Sequence, residues 1–305
     1  MSYSAALTVD DALAALAAGA RPVAGGSDLV VGARQGKAPL PDAIVGIHGV
    51  AGLDVAHVAD DGSLSLGALV SHATIETHPA IVGGWTALAD GSALVGSPST
   101  RNVGTIGGNV INSSPAMDTG APLVVLAASC ELRSARGSRT IAIEELWTGP
   151  GRSSAADDEL LVGLTLPGLA AGSGSAYIRL EYRRAMEIAV VGAAAMVTLN
   201  GDGDVAECRI ALTAVAPTII RARGAEAAIT GRALSEQTLA AIAQAASEEA
   251  TPISDLRGSD RYRRHTVGVM ARRAVEGAAR RARGEHVPVP LNRAGGIGAP
   301  LGGAA

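Results

Sequence analysis

Short apolar stretches, separated by glycine, proline and small polar residues, run the length of the chain, and their spacing defines its elements. Residues 12–18 repeat apolar side chains behind Asp10 and Asp11, with Gly19 following, which predicts a short capped helix. Residues 21–24 are extended and break at Gly25-Gly26, residues 28–34 make one or two helical turns, and residues 43–47 have strand character. Residues 1–54 thus form a compact βαβ-like lobe. A second lobe, 55–170, is predicted to hold a strand at 63–69, helical segments over 75–93, a glycine-rich loop at 104–109 and a helix at about 119–128. It closes with strands at 130–133 and 160–166, the latter stopped by Pro167.

The Gly/Ser/Ala stretch 168–175 reads as a linker, because it has few side chains to pack. Beyond it, within a domain at 175–285, residues 177–184, 189–199 and 205–215 read as strands, with Asn200-Gly201-Asp202-Gly203 as a hairpin turn. Helices follow at about 235–249 and 259–283. The Pro- and Gly-rich stretch 286–305 is expected to be a flexible tail. The expected fold class is α+β: two α/β subdomains and a C-terminal sheet-and-helix domain.

Composition removes several function classes. A net charge of -4 and 2% aromatic residues offer neither a footprint for a phosphate backbone nor rings for base stacking, so no nucleic acid is expected. No apolar run reaches the roughly 18 residues of a spanning helix, and no basic leader precedes the first apolar stretch. The expected location is cytoplasmic, with any membrane association made through partners. Cys130 and Cys208 stand alone, so this chain cannot assemble an iron–sulfur cluster or thiolate zinc site. The six histidines form no ligand pair, and His72 and His78 read as surface residues. Arg183, Arg184 and the arginines of the last helix read most simply as a solvated face. No nucleophile elbow, P-loop or Gly-x-Gly-x-x-Gly fingerprint occurs, and no catalytic residue or metal site is assigned.

Two segments carry candidate binding chemistry. In Val23-Ala24-Gly25-Gly26-Ser27-Asp28 a strand feeds paired glycines and a helix start, an arrangement that lets backbone N–H groups approach a pyrophosphate. On this segment alone, a tight turn capped by Ser27 is the simpler reading. The second runs from Thr100 to Asp118 and includes Thr105, Gly108, Asn109 and Asn112. It is dense in hydroxyls and amides but has no strong base or nucleophile, so it suits binding better than reaction.

Taken in order and about eighty residues apart, these segments resemble those of the FAD-binding subunits of molybdenum hydroxylases, the family of bacterial xanthine dehydrogenases and aerobic carbon monoxide dehydrogenases. The likeness rests on Val-Ala-Gly-Gly-Ser-Asp at 23–28, Arg-Asn-Val-Gly-Thr-Ile-Gly-Gly-Asn at 101–109 and Ser-Pro-Ala-Met-Asp at 114–118. It continues through Trp147-Thr148-Gly149-Pro150-Gly151, Glu159-Leu160-Leu161, residues 177–189, Asp255 and residues 258–264. Local similarity around 148–151 and 185–188 leans toward the xanthine-dehydrogenase-like members.

The resemblance implies a two-lobed FAD-binding domain and an adjoining C-terminal domain. It implies that Val23, Ala24, Gly25, Gly26, Ser27 and Asp28 hold the diphosphate side of FAD, and that Thr105, Gly108, Asn109, Asn112 and Asp118 line the rest of the cleft. Leu161 would pack near the ring system, and Arg179 stands where relatives often carry a flavin-contacting Lys; Glu187 replaces an expected Asp and receives no role. Also implied are a large molybdenum-cofactor subunit, a small subunit with two iron–sulfur clusters, a dimer of heterotrimers and an external electron acceptor. A stand-alone flavin oxidase of the vanillyl-alcohol type and a cofactor-free assembly subunit are the competing readings.

Overall fold

The computed structural model describes residues 1–36 and 39–293. Its first lobe runs β1 (Ser2–Ala5), α1 (Val9–Ala17), β2 (Arg21–Val23), α2 (Ser27–Arg34) and β3 (Ala43–Gly46), with the strands in the parallel order β1-β3-β2. The first helix starts three residues earlier than the aspartates suggest. Thr8 is its cap: the Thr8 hydroxyl accepts from Asp11 N at 3.1 Å while the Asp11 carboxylate accepts from Thr8 N at 3.0 Å, a reciprocal capping box. This registers Ala12, Leu13 and Leu16 inward against Val45, Ile47, Val50 and Leu53, and the second lobe adds Leu160 and Val162 to the same core.

That second lobe holds β4 (Ala56–Val58), β5 (Leu64–Gly67), α3 (His72–Thr77), α4 (Pro79–Gly83), α5 (Thr86–Leu94), α6 (Pro98–Val103), α7 (Ile106–Ile111) and α8 (Gly120–Val125). It ends with β6 (Ser129–Ser134), β7 (Gly137–Ala142), α9 (Ile143–Leu146), β8 (Trp147–Gly149), β9 (Arg152–Ser153) and β10 (Leu160–Leu166). An antiparallel sheet, β4-β5-β10-β6-β7, backs the helices. Hydroxyls start three of them: Ser71, Ser97 and Thr105 accept from the backbone N–H of Thr74, Thr100 and Gly108. The glycine-rich stretch expected as a loop is therefore mostly helix α7, pinned because Ile106 N and Gly107 N donate to the carbonyls of Val70 and Ala68.

The C-terminal part holds β11 (Ser173–Leu180), β12 (Val191–Leu199), β13 (Val205–Thr213) and β14 (Ile220–Arg221), in that order across one antiparallel sheet, then α10 (Arg223–Ala227), α11 (Glu236–Glu249) and α12 (Asp260–Ala282). Both faces are covered. Ala193, Ala195 and Val197 of β12 join the core shared with α11 and α12, while the alternate residues Ala194 and Met196 join that of the second lobe. This explains why β12 reads as a continuous apolar run without alternation.

Two expectations are corrected here. The stretch 168–175 is not all linker, since β11 begins at Ser173 and Gly174 is pressed against α12, where a Cβ would stand 2.3 Å from Ala278 O. The tail does not begin at His286: Val287 and Leu291 are buried, and Leu291 N donates to Asp90 at 2.9 Å. Residues 294–305 lie outside the described residues. Asp90, on α5, is the joint of the molecule, accepting also from Tyr177 N at 3.0 Å and from both terminal nitrogens of Arg281 at 2.6 and 3.0 Å.

Candidate cofactor site

After β2 the chain turns through Ala24 and Gly25 to Gly26, whose φ of 69° is left-handed, and enters α2. Gly25 meets another segment there. A Cβ on it would stand 1.8 Å from Val103 O, and Ser27 Oγ lies 3.7 Å from where a Cβ of Gly104 would be. The two predicted turns therefore lie against one another by backbone contact. Among the described residues, the N–H groups of Gly25, Gly26, Ser27, Asp28 and Leu29 make no hydrogen bond. Gly26 is the N-cap of α2 and offers no side-chain cap, in contrast to the Ser27 cap considered above. A row of free donors at a helix N-terminus is suited to an anion.

Behind Val103, the buried Thr105 caps α7. A Cβ on Gly108 would meet only the Thr105 hydroxyl, at 3.0 Å, so this face is open. Asn109 Oδ1 accepts from Thr119 Oγ1 at 2.6 Å, which orients its NH2 as a free donor, and Asn112 is exposed.

Three predicted site residues lie deeper. Asp118 Oδ2 takes Arg179 Nη1 at 2.6 Å, Asp118 Oδ1 takes the Tyr177 hydroxyl at 2.9 Å, and Arg179 Nε donates to Glu181 at 2.8 Å. Arg179 Nη1 also donates to Glu187 O at 3.1 Å, whereas its Nη2 is buried without a partner. Burial pushes the Asp118 carboxyl up to about 6, against the pull of Arg179 and Tyr177 in the other direction. Arg179 itself is desolvated, yet its neighbouring Asp118 raises it further above its ordinary value. Leu161, on β10, is buried in the core of the second lobe. These three side chains are buried, while 23–28, Thr105, Gly108, Asn109 and Asn112 belong to the two turns.

Sequence reasoning missed His72. It is 1% exposed rather than a surface residue, with its Cδ2 3.4 Å from the Cβ position of Gly104 and its Nδ1 unpartnered. Burial, helped by Arg101, lowers it to about 4, so it is neutral at physiological pH. Its place directly after the Ser71 cap and before the buried Ile75 was the available signal.

The sequence profile of the FAD binding domain in molybdopterin dehydrogenase matches residues 1–169, and that of the CO dehydrogenase flavoprotein C-terminal domain matches residues 176–278. This chain belongs to the FAD-binding subunits of molybdopterin dehydrogenases. It is 33% identical over 287 residues to a putative xanthine dehydrogenase FAD-binding subunit of Escherichia coli (strain K12), covering 93% of this chain and 98% of that one. It is 31% identical to a carbon monoxide dehydrogenase medium chain of Afipia carboxidovorans, covering 87% and 90%. The solved carbon monoxide dehydrogenase of Hydrogenophaga pseudoflava superimposes with a TM-score of 0.87 at 30% identity, covering 91% of this chain and 96% of the other.

As a FAD-binding subunit, the chain is an oxidoreductase component and a flavoprotein. Its residues fit that cofactor: the free N–H groups of Gly25–Leu29 suit the diphosphate, and the open face of Gly108 with the free Asn109 amide suits a flat group lying on backbone. Among the described residues, no group of three or more His, Cys, Asp or Glu side chains is placed to hold a metal ion, and no helix is long and apolar enough to cross a membrane.

Proposed function

We propose that this subunit relays electrons within a heteromeric molybdenum hydroxylase, holding one FAD between the lobe of residues 1–54 and that of residues 55–170. Bound FAD supplies the exchange between two-electron and one-electron transfer. The chain's own residues bind and orient it. Gly25, Gly26, Ser27 and Asp28, with Val23 and Ala24 leading in, offer backbone donors to the diphosphate; Thr105, Gly108, Asn109 and Asn112 line the second side. Asp118, Arg179 and Leu161 shape the wall behind the ring system, the ion pair acting through charge and rigidity.

The carrying observation is the contact of Gly25 with Val103, because it joins the two segments into one site. Electrons enter from a small subunit bearing two iron–sulfur clusters, which receives them from a large molybdenum-cofactor subunit, and leave to an external acceptor. A dimer of such heterotrimers is the proposed assembly. Support comes from relatives whose names describe subunits or medium chains of larger dehydrogenases, and from the absence in this sequence of paired cysteines for a cluster. Co-purification with the products of adjacent genes, followed by substrate-driven bleaching of flavin absorbance, tests the relay. Bleaching only when the partners are present is expected; hydroxylation by this chain alone contradicts the reading.

A further inference from the structure

Gly104, between the last residue of α6 and the Thr105 cap of α7, is approached from both lobes. Around the point where its Cβ would stand, Ser27 Oγ of the first lobe lies 3.7 Å away and His72 Cδ2, from α3, lies 3.4 Å away. The backbone fixes the histidine in that place. His72 N donates to Gly104 O at 3.1 Å, Ser71 pairs with Thr105 in an isolated bridge, and Ile106 N and Gly107 N donate to Val70 O and Ala68 O. Ser71 caps α3, so the ring hangs from a segment anchored on both sides of it.

The ring itself is not satisfied. His72 is almost wholly buried and its Nδ1 is sealed without a partner. Its Nε2, bonded to the carbon that faces Gly104, makes no hydrogen bond among the described residues, yet it is not sealed. A phenyl ring would fill this space with no orphaned nitrogen, so packing alone does not account for a histidine here. A neutral imidazole carries one ring proton. With Nδ1 enclosed and no acceptor beside it, the proton belongs on Nε2, which makes that atom a donor next to the free N–H groups of Gly25–Leu29. Arg101, held by Glu76 at 2.9 Å and by Val95 O, is the charged neighbour, and burial together with this charge keeps the ring neutral at physiological pH.

We propose that His72 is a binding residue of the cofactor site, donating from Nε2 to the FAD diphosphate where the two turns meet, a proposal that rests on the FAD reading above. Ser27 and the free N–H groups of the first lobe come from one side of Gly104, and His72 supplies a side-chain donor of the second lobe from the other. A diphosphate gripped in this way ties the lobes together. Because the donor is neutral, it adds a hydrogen bond to the anion without setting a second buried positive charge beside Arg101.

The test uses the chain purified with its partner subunits and measures FAD titration of the deflavinated complex, with the flavin midpoint potential read alongside. His72→Phe keeps a ring and removes the donor; it is expected to weaken FAD binding by roughly tenfold or more and to leave the potential unchanged, since the diphosphate is remote from the redox ring. His72→Gln, whose amide nitrogen reaches the place of Nε2, restores binding to within a few-fold. His72→Asn reaches only the place of Nδ1 and does not. Unaltered binding by His72→Phe, equal effects of Gln and Asn, or a shifted potential overturns the proposal. Should His72→Phe fail to fold, the Gln and Asn pair decides alone. A wild-type complex that binds no FAD overturns the site reading and this proposal with it, whereas FAD bound equally well by wild type and His72→Phe overturns this proposal only.

Discussion

Gly25 and Val103 touch through backbone atoms alone: the carbonyl oxygen of Val103 occupies the space where any side chain on Gly25 would begin, 1.8 Å from an ideal Cβ. Nothing flexible can yield there, since the obstructing atom belongs to the last residue of α6. The contact between these two segments at the candidate cofactor site is therefore a glycine requirement.

Gly25→Ala should separate the turns, costing about 1–3 kcal/mol of stability and most of the FAD affinity. Gly32→Ala, on the same α2 helix and with open space around its Cβ, should instead stabilise by about 0.5–1 kcal/mol. Urea titrations of both variants, read with flavin content, check the contrast.

Gly108→Val should leave the fold standing and expel FAD. Its Cβ meets only the Thr105 hydroxyl, so the branched side chain would fill the open face instead of straining the core. Full flavin occupancy in a folded Gly108→Val protein would remove the second turn from the site.

Asp90→Ala should be among the most damaging single changes, because it strands the buried Arg281 guanidinium and frees Tyr177 N and Leu291 N. Breaking a buried pair from one side costs about 3–5 kcal/mol. Limited proteolysis should then cut between the second lobe and β11, and an unchanged digestion pattern would count against Asp90 as the joint.

Acid titration separates two buried groups of opposite sign. Asp118 is raised to about 6 in the fold, so its contribution to stability is full below pH 3.8 and is lost as pH rises through about 6. His72 is lowered from 6.5 to about 4, so its contribution is present above pH 6.5 and is lost as pH falls through about 4. Relative to wild type, Asp118→Asn should remove a stability difference on the order of 3 kcal/mol between pH 4 and 7, and His72→Phe should flatten the fall on the acid side. Parallel stability curves for variants and wild type would show that neither group titrates as described.

The turn at residues 23–28 was legible because a strand followed by paired glycines and a helix start is a local pattern. The stretch 104–109 was legible as binding chemistry but not as structure: its glycines suggest a loop, and only the carbonyls of Ala68 and Val70 and the Thr105 cap hold it as helix. The strand Ser2–Ala5 went unseen, since four residues are too short a run to signal a strand; all four are exposed, and the pairing with β3 is tertiary. The Asp90–Arg281 pair spans 191 positions, beyond any local signal, although an acid inside the apolar stretch 87–94 was a hint of a buried partner. Arg179 was placed by likeness to a flavin contact, while the structure gives its charge to Asp118 and Glu181.

The central claim is that the two turns hold a single FAD, and cofactor content measures it directly. Acid release from the purified full-length chain, isolated with its partners, should yield one FAD per chain, with the visible spectrum of oxidised flavin before release. A folded, correctly assembled and colourless chain that releases no FAD would contradict the account.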